Sequence, residues 1–503
     1  MSVDADDGNL VDAVTVHATT DRVAFIDLTG DAVRTVTHRD VAAHIAAASL
    51  AVRNLGGDVG DRVGILADNS VDFAALYFGI CRIGAVTVPL NTKLPADTLA
   101  FIADDADLRI VFADATNAHL APPGVRVVII GSDEWHDIRR GTPPETVRVD
   151  STHVAVQMYT SGSTGRPKGV LLSHGSQRFT VAQYTSGGYF MDDDERIVVS
   201  APMYHKNAMV QTKVNLALGG QIVLLRRFDA ADYLRAVATH RATSLTGVPT
   251  MFALMTAQRA LLDELDLGSV RRLMIGSAPM TEAFYDEVQQ LFPGATVTNG
   301  YGTTEAIACF GPHPQGLARP KIALGYPLAT MEVRLVDPAT GLDANPGEFW
   351  IRGPGVMNGY HNLSEVTAGR LVDGWYRTGD TMERDADGWY FFVGRVDDMF
   401  VCGGENVYPG EVEQLLERHP DVHQAAVVSV PDTVKGALPV AFVVRTADAG
   451  IDEDALRRWT IEHGPAYAHP RAIWFVDEIP LAGTAKIDKR ALADRAAAAF
   501  TSR

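Results

Sequence analysis

Met158-Tyr-Thr-Ser-Gly-Ser-Thr-Gly-Arg-Pro-Lys-Gly-Val170 follows an apolar, strand-like run, Val154 to Met158. Its small residues let backbone N–H groups approach an anion closely. Thr160, Ser161, Ser163 and Thr164 add hydroxyl donors, and Arg166 and Lys168 place positive charge inside the loop. A Gly/Ser loop is usually plain surface; the two cations are what argue for a phosphate. A Walker A loop needs Gly-Lys-Ser/Thr running into a helix. Here Gly165-Arg-Pro-Lys168 stands in its place. Pro167 removes an N–H and pushes Arg166 towards an extended conformation. The pattern predicts a flap that grips phosphates and lets them go, not a helix-terminus cradle.

On either side of this loop the chain alternates. Asp40 to Leu55 has helical periodicity and stops at Gly56-Gly57. Arg62 to Leu66 reads as a strand, Val71 to Ile83 as a helix and Ala85 to Leu90 as a strand; Thr98 to Ala106 and Leu108 to Ala113 repeat helix then strand. Further strands are expected at Arg196 to Ala201 and Gln221 to Leu225. Such alternation predicts an α/β fold with largely parallel strands. Glu332 to Val336 and Gly347 to Ile351 read as antiparallel strands. A boundary is expected around Gly394 to Asp398. Beyond it, helices at Glu411 to Arg418, Glu453 to His463 and Ile487 to Ala498 interleave with strands at Gln424 to Val430, Leu438 to Val444 and Ala472 to Val476. That size suits a small separate domain.

The bulk numbers narrow the function classes. At 503 residues, 47% hydrophobic and 21% charged, the composition is that of a soluble globular protein. A net charge of −18 argues against bulk attraction to nucleic acid or anionic membrane. Cys81, Cys309 and Cys402 are far apart and in no metal spacing, so free thiols in a reducing, cytoplasmic compartment are expected. Met1 to Leu10 is acidic and lacks the pattern of a secretory signal, and no apolar run approaches a membrane span.

Four more segments carry candidate chemistry. In Asn299-Gly-Tyr-Gly-Thr-Thr-Glu-Ala306, paired glycines expose backbone beside an aromatic, and Glu305 is a hard oxygen ligand of the kind magnesium shares with phosphate. A tight turn with a buried tyrosine explains the stretch about as well. In Trp375-Tyr-Arg-Thr-Gly-Asp380, the aspartate suits a pair of ribose hydroxyls; alone, an ordinary Asp turn is the stronger reading. Gly394-Arg-Val-Asp-Asp398 with Gly403-Gly-Glu-Asn-Val-Tyr-Pro409 would combine a cation, a hinge and room for a thin substituent, or be a simple connector. In Gly483-Thr-Ala-Lys-Ile-Asp488, a lone lysine gains meaning only beside the others.

In this order and at these separations, the segments resemble the adenylate-forming superfamily of acyl- and aryl-CoA synthetases, non-ribosomal peptide adenylation domains and luciferases. Gly84-Ala-Val-Thr-Val-Pro-Leu-Asn91 and Pro202-Met-Tyr-His205 extend the likeness over nearly the whole chain. The branch most resembled is that of bacterial acyl- or aryl-CoA ligases. The resemblance implies a large multi-layer N-terminal domain, 1–395, with parallel-rich sheets, and a small mobile α+β domain, 396–503. It also implies two half-reactions. A carboxylate attacks the α-phosphorus of ATP, giving an acyl-adenylate and pyrophosphate; a thiol, normally that of coenzyme A, then displaces AMP.

By matching position, Thr160, Ser161, Gly162, Ser163, Thr164, Gly165 and Lys168 would hold the β,γ-phosphates, with Thr160 and Glu305 serving Mg2+. Gly276, Ser277, Ala278, Asn299, Gly300, Tyr301, Gly302, Thr303 and Thr304 would frame adenine and the α-phosphate, and Asp380 and Arg395 the ribose. Lys486 would bridge the carboxylate and the α-phosphate. The small domain would turn on Asp397, withdrawing Lys486 and bringing Gly403 and Gly404 beside the pantetheine arm of CoA. Tyr467 and Arg471 would meet the CoA nucleotide. The acyl pocket would take His205, Lys206, Asn207, Val248, Ser277, Gly302, Ile307 and Ala308, with His205 as a wall or gate near the carboxylate. Lys206, out of place in an apolar pocket, would either pair with a second polar or acidic group on the substrate or, the stronger reading, turn its head to solvent.

Two positions depart from the pattern: Ala485 stands where glycine is common, and Ala468 where lysine often follows the tyrosine. The second leaves open a carrier protein as the thiol donor. A non-catalytic nucleotide or acyl-adenylate binder is the reading of another class; the presence of both Glu305 and Lys486 argues against it. Oligomeric state, monomer or homodimer, is not legible.

Overall fold

A computed structural model describes residues 8–161, 166–186, 194–278, 280–306, 310–402, 405–432, 434–447, 449–465, 467–481 and 487–500. Two seven-stranded sheets dominate. The first runs Thr296–Gly300, Arg272–Gly276, Ser244–Gly247, Arg196–Val199, Gln221–Leu224, Val23–Asp27, Arg34–Thr37. All its neighbours are parallel except the last pair. The second runs Gly359–Tyr360, Pro167–Ser173, Val154–Ser161, Val86–Pro89, Arg62–Leu66, Ile110–Ala113, Arg126–Ile129. It is parallel from Val154–Ser161 outward and antiparallel on the other side.

The helices Val71–Arg82, His174–Thr185 and Lys206–Leu218 share a core with strands of both sheets. Every residue from Phe73 to Cys81 is buried, as befits a helix covered on all sides. Gly79 lets the neighbouring helix His38–Asn54 approach: a Cβ there would lie 2.9 Å from the Ile45 carbonyl oxygen. His174–Thr185 is polar by sequence yet buried from His174 to Val181. Its polar groups bond within the interior, as when Lys213 Nζ donates to Gln177 Oε1.

A third, antiparallel sheet combines Glu332–Val336, Gly347–Arg352, Trp375–Arg384, Leu371–Val372 and Tyr390–Arg395. From Phe400 on, the hairpin Val422–Asp432 and Gly436–Arg445 carries Ile473–Phe475 and Phe400–Cys402 beside it, covered by the helices Pro409–Glu417, Glu453–His463 and Lys489–Phe500. This part has its own apolar core, from Cys402 to Ala496. Cys81 and Cys402 are free, buried thiols; Cys309 lies outside the described residues. Among the described residues, no helix is long and apolar enough to cross a membrane.

Candidate active site

Two paired strands flank the glycine-rich stretch. Val154–Ser161 pairs antiparallel with Pro167–Ser173, placing Thr160 opposite Lys168 and Ser161 opposite Pro167. No helix follows the loop directly, in keeping with the departure from Walker A. Gly162, Ser163, Thr164 and Gly165 themselves, and the Ser161 side chain, lie outside the described residues. The far neighbour of Pro167–Ser173 is the two-residue strand Gly359–Tyr360, with Tyr360 opposite Val170. That pairing sets the Tyr360 ring 4.9 Å from Lys168 Nζ, a cation–π contact. The Tyr360 hydroxyl donates to Glu305 Oε1 at 3.0 Å. Burial, with the Glu305 charge beside it, holds the phenol well above its usual range. Lys168 and Glu305, far apart in sequence, thus share one aromatic neighbour.

The Glu305 segment is anchored at both ends. Met357 N donates to Glu305 O at 2.7 Å, and Ala306 N to Thr303 Oγ1 at 3.0 Å. Lys206 supplies a third tie. Its Nζ donates to the carbonyls of Thr303 at 2.9 Å and Thr304 at 3.0 Å. The expectation that this head turns to solvent is therefore corrected: Lys206 begins a helix wedged between two sheets, and its ammonium ends on backbone carbonyls. Burial pulls it down to about 8, with Glu305 partly opposing.

The parallel strands Arg272–Gly276 and Thr296–Gly300 deliver the next segments at their C-terminal ends, where open parallel sheets place ligands. Gly276 has no substitute: a Cβ there would lie 2.3 Å from the Gly300 carbonyl oxygen. Ser277 follows with φ +66°, a left-handed conformation rare outside glycine. Ala278 continues this turn. The Asn299 side chain donates to Ile322 O at 2.7 Å. Gly302 is exposed beside it.

Asp380 sits mid-strand in Trp375–Arg384, directly opposite Arg395. It is buried and accepts from Arg395 Nη1 at 2.8 Å and from the Tyr301 hydroxyl. Tyr301 packs edge-on against Phe310 and Phe349. Asp397 is exposed, 3.5 Å from Arg370 Nη2.

His205 precedes the helix Lys206–Leu218, edge-on to Tyr204 at 4.7 Å. Asn207 Nδ2 reaches Thr246 Oγ1 at 3.4 Å, so this helix lies over the Ser244–Gly247 strand whose end carries Val248. Ile307 and Ala308 fall outside the described residues, as do Gly403, Gly404 and Lys486. Tyr467 is exposed at 38%, Arg471 contacts the His469 ring, and Ala468 is buried. Tyr360, which meets both Lys168 and Glu305, was not singled out by motif; only the pairing of its two-residue strand would have found it.

No group of three or more His, Cys, Asp or Glu among the described residues forms a cation cage. A lone carboxylate beside a phosphate-type loop fits Mg2+ that keeps waters and shares phosphate oxygens.

This sandwich of parallel sheets, with a phosphate-type hairpin and an acidic residue converging at strand ends, is the architecture of an adenylate-forming enzyme. The sequence profile described as AMP-binding enzyme matches residues 13–361, and that of the AMP-binding enzyme C-terminal domain matches 411–486. The chain belongs to the AMP-binding enzyme family. It is 34% identical over 465 residues to a feruloyl-CoA synthase of Amycolatopsis, covering 90% of this chain and 92% of that one. Its fold matches an anthranilate CoA ligase, AuaEII, in complex with anthranoyl-AMP (TM-score 0.88, 26% identity, 98% of both chains). It matches ATP-bound MatB from Rhodopseudomonas palustris equally well (TM-score 0.88, 28% identity, 98% of this chain and all of the other).

Proposed function

We propose that the chain is an ATP-dependent carboxylic acid–CoA ligase acting on an aromatic-type acid. The acid's carboxylate attacks the α-phosphorus and pyrophosphate leaves; the thiol sulfur of CoA then attacks the acyl carbon and AMP leaves. The observation that carries the reading is the convergence of Lys168, Tyr360 and Glu305, which brings the phosphate hairpin against the one acidic group of the Thr303-Thr304-Glu305 segment. The likeness to a feruloyl-CoA synthase and to an anthranilate CoA ligase supports the thiol.

Lys168 and the glycine-rich stretch take the β,γ-phosphates; Thr160 and Glu305 would hold Mg2+, which would offset charge on the triphosphate. The exposed turn at Ser277 and the Asn299–Thr304 stretch frame the nucleotide, while Asp380 and Arg395 bind ribose. Lys486 neutralises charge as the carboxylate approaches phosphorus. Residues 1–395 and 396–503 act as two units, the second turning about Asp397 between half-reactions. Support for that division is the separate core beyond Phe400. The test is pyrophosphate release with a panel of acids, then thioester formation with free CoA against a pantetheinylated carrier protein. Silence across the panel would overturn adenylation; activity with the carrier alone would replace CoA.

A further inference from the structure

The paired strands Val154–Ser161 and Pro167–Ser173 turn alternate residues to opposite faces of their sheet. On one face, Met158, Val170 and Tyr360 join the main apolar core. Lys168 lies on that side, over the Tyr360 ring whose hydroxyl meets Glu305. On the other face, Tyr159 and Phe101 pack against a separate, smaller cluster that includes Leu66, Val88 and Leu99. Gly169 belongs to this second face: a Cβ there would lie 3.1 Å from Tyr159 Cζ.

The helix Ala96–Asp105 lies along the second face, with Leu99, Ile102 and Ala103 buried in the same cluster. It meets the borders of the glycine-rich stretch at two points. Asp105 Oδ2 accepts from the Tyr159 hydroxyl at 2.6 Å, and that hydroxyl accepts from Gln157 Nε2 at 2.8 Å. One turn earlier, the Phe101 ring lies under Arg166, whose guanidinium carbon is 5.4 Å from the ring centroid. Phe101 and Asp105, four residues apart, share one side of the helix. The bond to Asp105 is charge-assisted and part-buried, whereas Arg166 is exposed, so the cation–π contact is the weaker of the two. The two cations of one short stretch thus rest on rings from opposite faces of the sheet, Lys168 beside Glu305 and Arg166 behind it.

We propose that Phe101 is a positioning residue that holds Arg166 away from the triphosphate, and that Arg166 exchanges this ring for the β,γ-phosphates when ATP binds. The two partners compete for one guanidinium. Paired charge-assisted bonds to phosphate oxygens are stronger than an exposed cation–π contact. The exchange therefore goes forward with ATP and reverses as pyrophosphate leaves. Phe101 weakens the hold on both ligands by the strength of its own contact, which eases product release. The Tyr159–Asp105 bond keeps the strands fixed while Arg166 moves. The inference rests on the ATP-binding part of the ligase reading, and its test needs no acid, so the two can fail separately.

Binding of ATP, pyrophosphate and AMP, each with Mg2+ in excess, is measured by titration calorimetry on the full chain. Phe101→Leu keeps apolar bulk and removes the ring face. It should tighten ATP and pyrophosphate by about two- to fivefold, the range an exposed cation–π contact spans, and leave AMP unchanged. Phe101→Tyr keeps the ring and should bind like the unaltered chain. Arg166→Gln should weaken ATP and pyrophosphate by at least about fivefold while sparing AMP; in that background Phe101→Leu should have no further effect. Unchanged or weaker ATP binding in Phe101→Leu, an equal shift for AMP, or the same shift with Arg166 already replaced would overturn the proposal. A chain that binds no ATP would overturn it together with the ligase reading. The expected binding shifts without pyrophosphate release from any acid would strike the ligase reading alone.

Discussion

Lys206 Nζ donates to the carbonyl oxygen of Thr303 at 2.9 Å, so the helix Lys206–Leu218 is tied directly to the backbone leading to Glu305. A cation held this way fixes geometry through its charge and its donors. It also titrates in an accessible range.

Burial lowers the Lys206 ammonium from 10.5 to about 8. Below that pH the folded chain carries a desolvated charge. The unfolded chain keeps the proton up to the ordinary lysine value, so it binds more protons than the folded chain between the two. Stability should therefore rise with pH across that window. Adenylation should fall across it, as the charged tether to Thr303 and Thr304 is lost. In Lys206→Met both pH dependences should flatten, as read from urea midpoints and from kcat against pH; Lys206→Arg should move the alkaline limb upward. An unaltered limb in Lys206→Met would assign it to another group.

Tyr360→Phe keeps the ring under Lys168 and removes only the donor to Glu305. Half-saturation by Mg2+ in pyrophosphate release is expected to shift several-fold, with little change in unfolding temperature. An unchanged Mg2+ curve would detach Glu305 from the metal.

Asp380 accepts from both Arg395 and Tyr301 while buried at 3% exposure. Asp380→Asn weakens the charge-assisted pair and should raise KM for ATP by about 10- to 100-fold. The same increase for the acid, with none for ATP, would contradict the ribose assignment.

In the C-terminal core, Lys489 Nζ meets Glu413 Oε1 and donates to Val427 O at 3.0 Å, while Val427 N donates to Glu413 Oε1 at 2.7 Å. This knot pins the helix Lys489–Phe500 to Pro409–Glu417 and the hairpin. Lys489→Met should cost about 1–3 kcal/mol of stability by leaving Glu413 without its cation, measured by urea denaturation followed through tryptophan fluorescence. A loss below a few tenths would show the pair to be solvated.

Strongly patterned segments were legible from sequence. Arg62–Leu66 and Glu453–His463 fall where the sequence puts them: the first is a short apolar run buried on both faces of its sheet, the second a longer amphipathic segment. Glu332 to Val336 and Gly347 to Ile351 were legible as antiparallel strands, and the structure pairs them with each other. What escaped did so for physical causes. Pro167–Ser173 begins with proline and contains Gly169, both poor strand signals, and owes its conformation to the strand beside it. Gly359–Tyr360 is two residues long and has no pattern, yet it places Tyr360 between Lys168 and Glu305. Lys206–Leu218 carries polar residues on several faces. The inward turn of Lys206 depends on the Thr303–Thr304 backbone, distant in sequence.

The central claim is that one bound triphosphate is read by the hairpin, by Glu305 and by a lysine from the C-terminal segment. The most direct measurement compares Lys486→Ala with the unaltered chain in two assays: pyrophosphate release from ATP and acid, and thioester formation from supplied acyl-adenylate and CoA. The account predicts loss of the first by several hundredfold or more, on the order of one well-placed charge at the transition state, with the second largely retained. Equal loss in both assays, or no loss in the first, would contradict it.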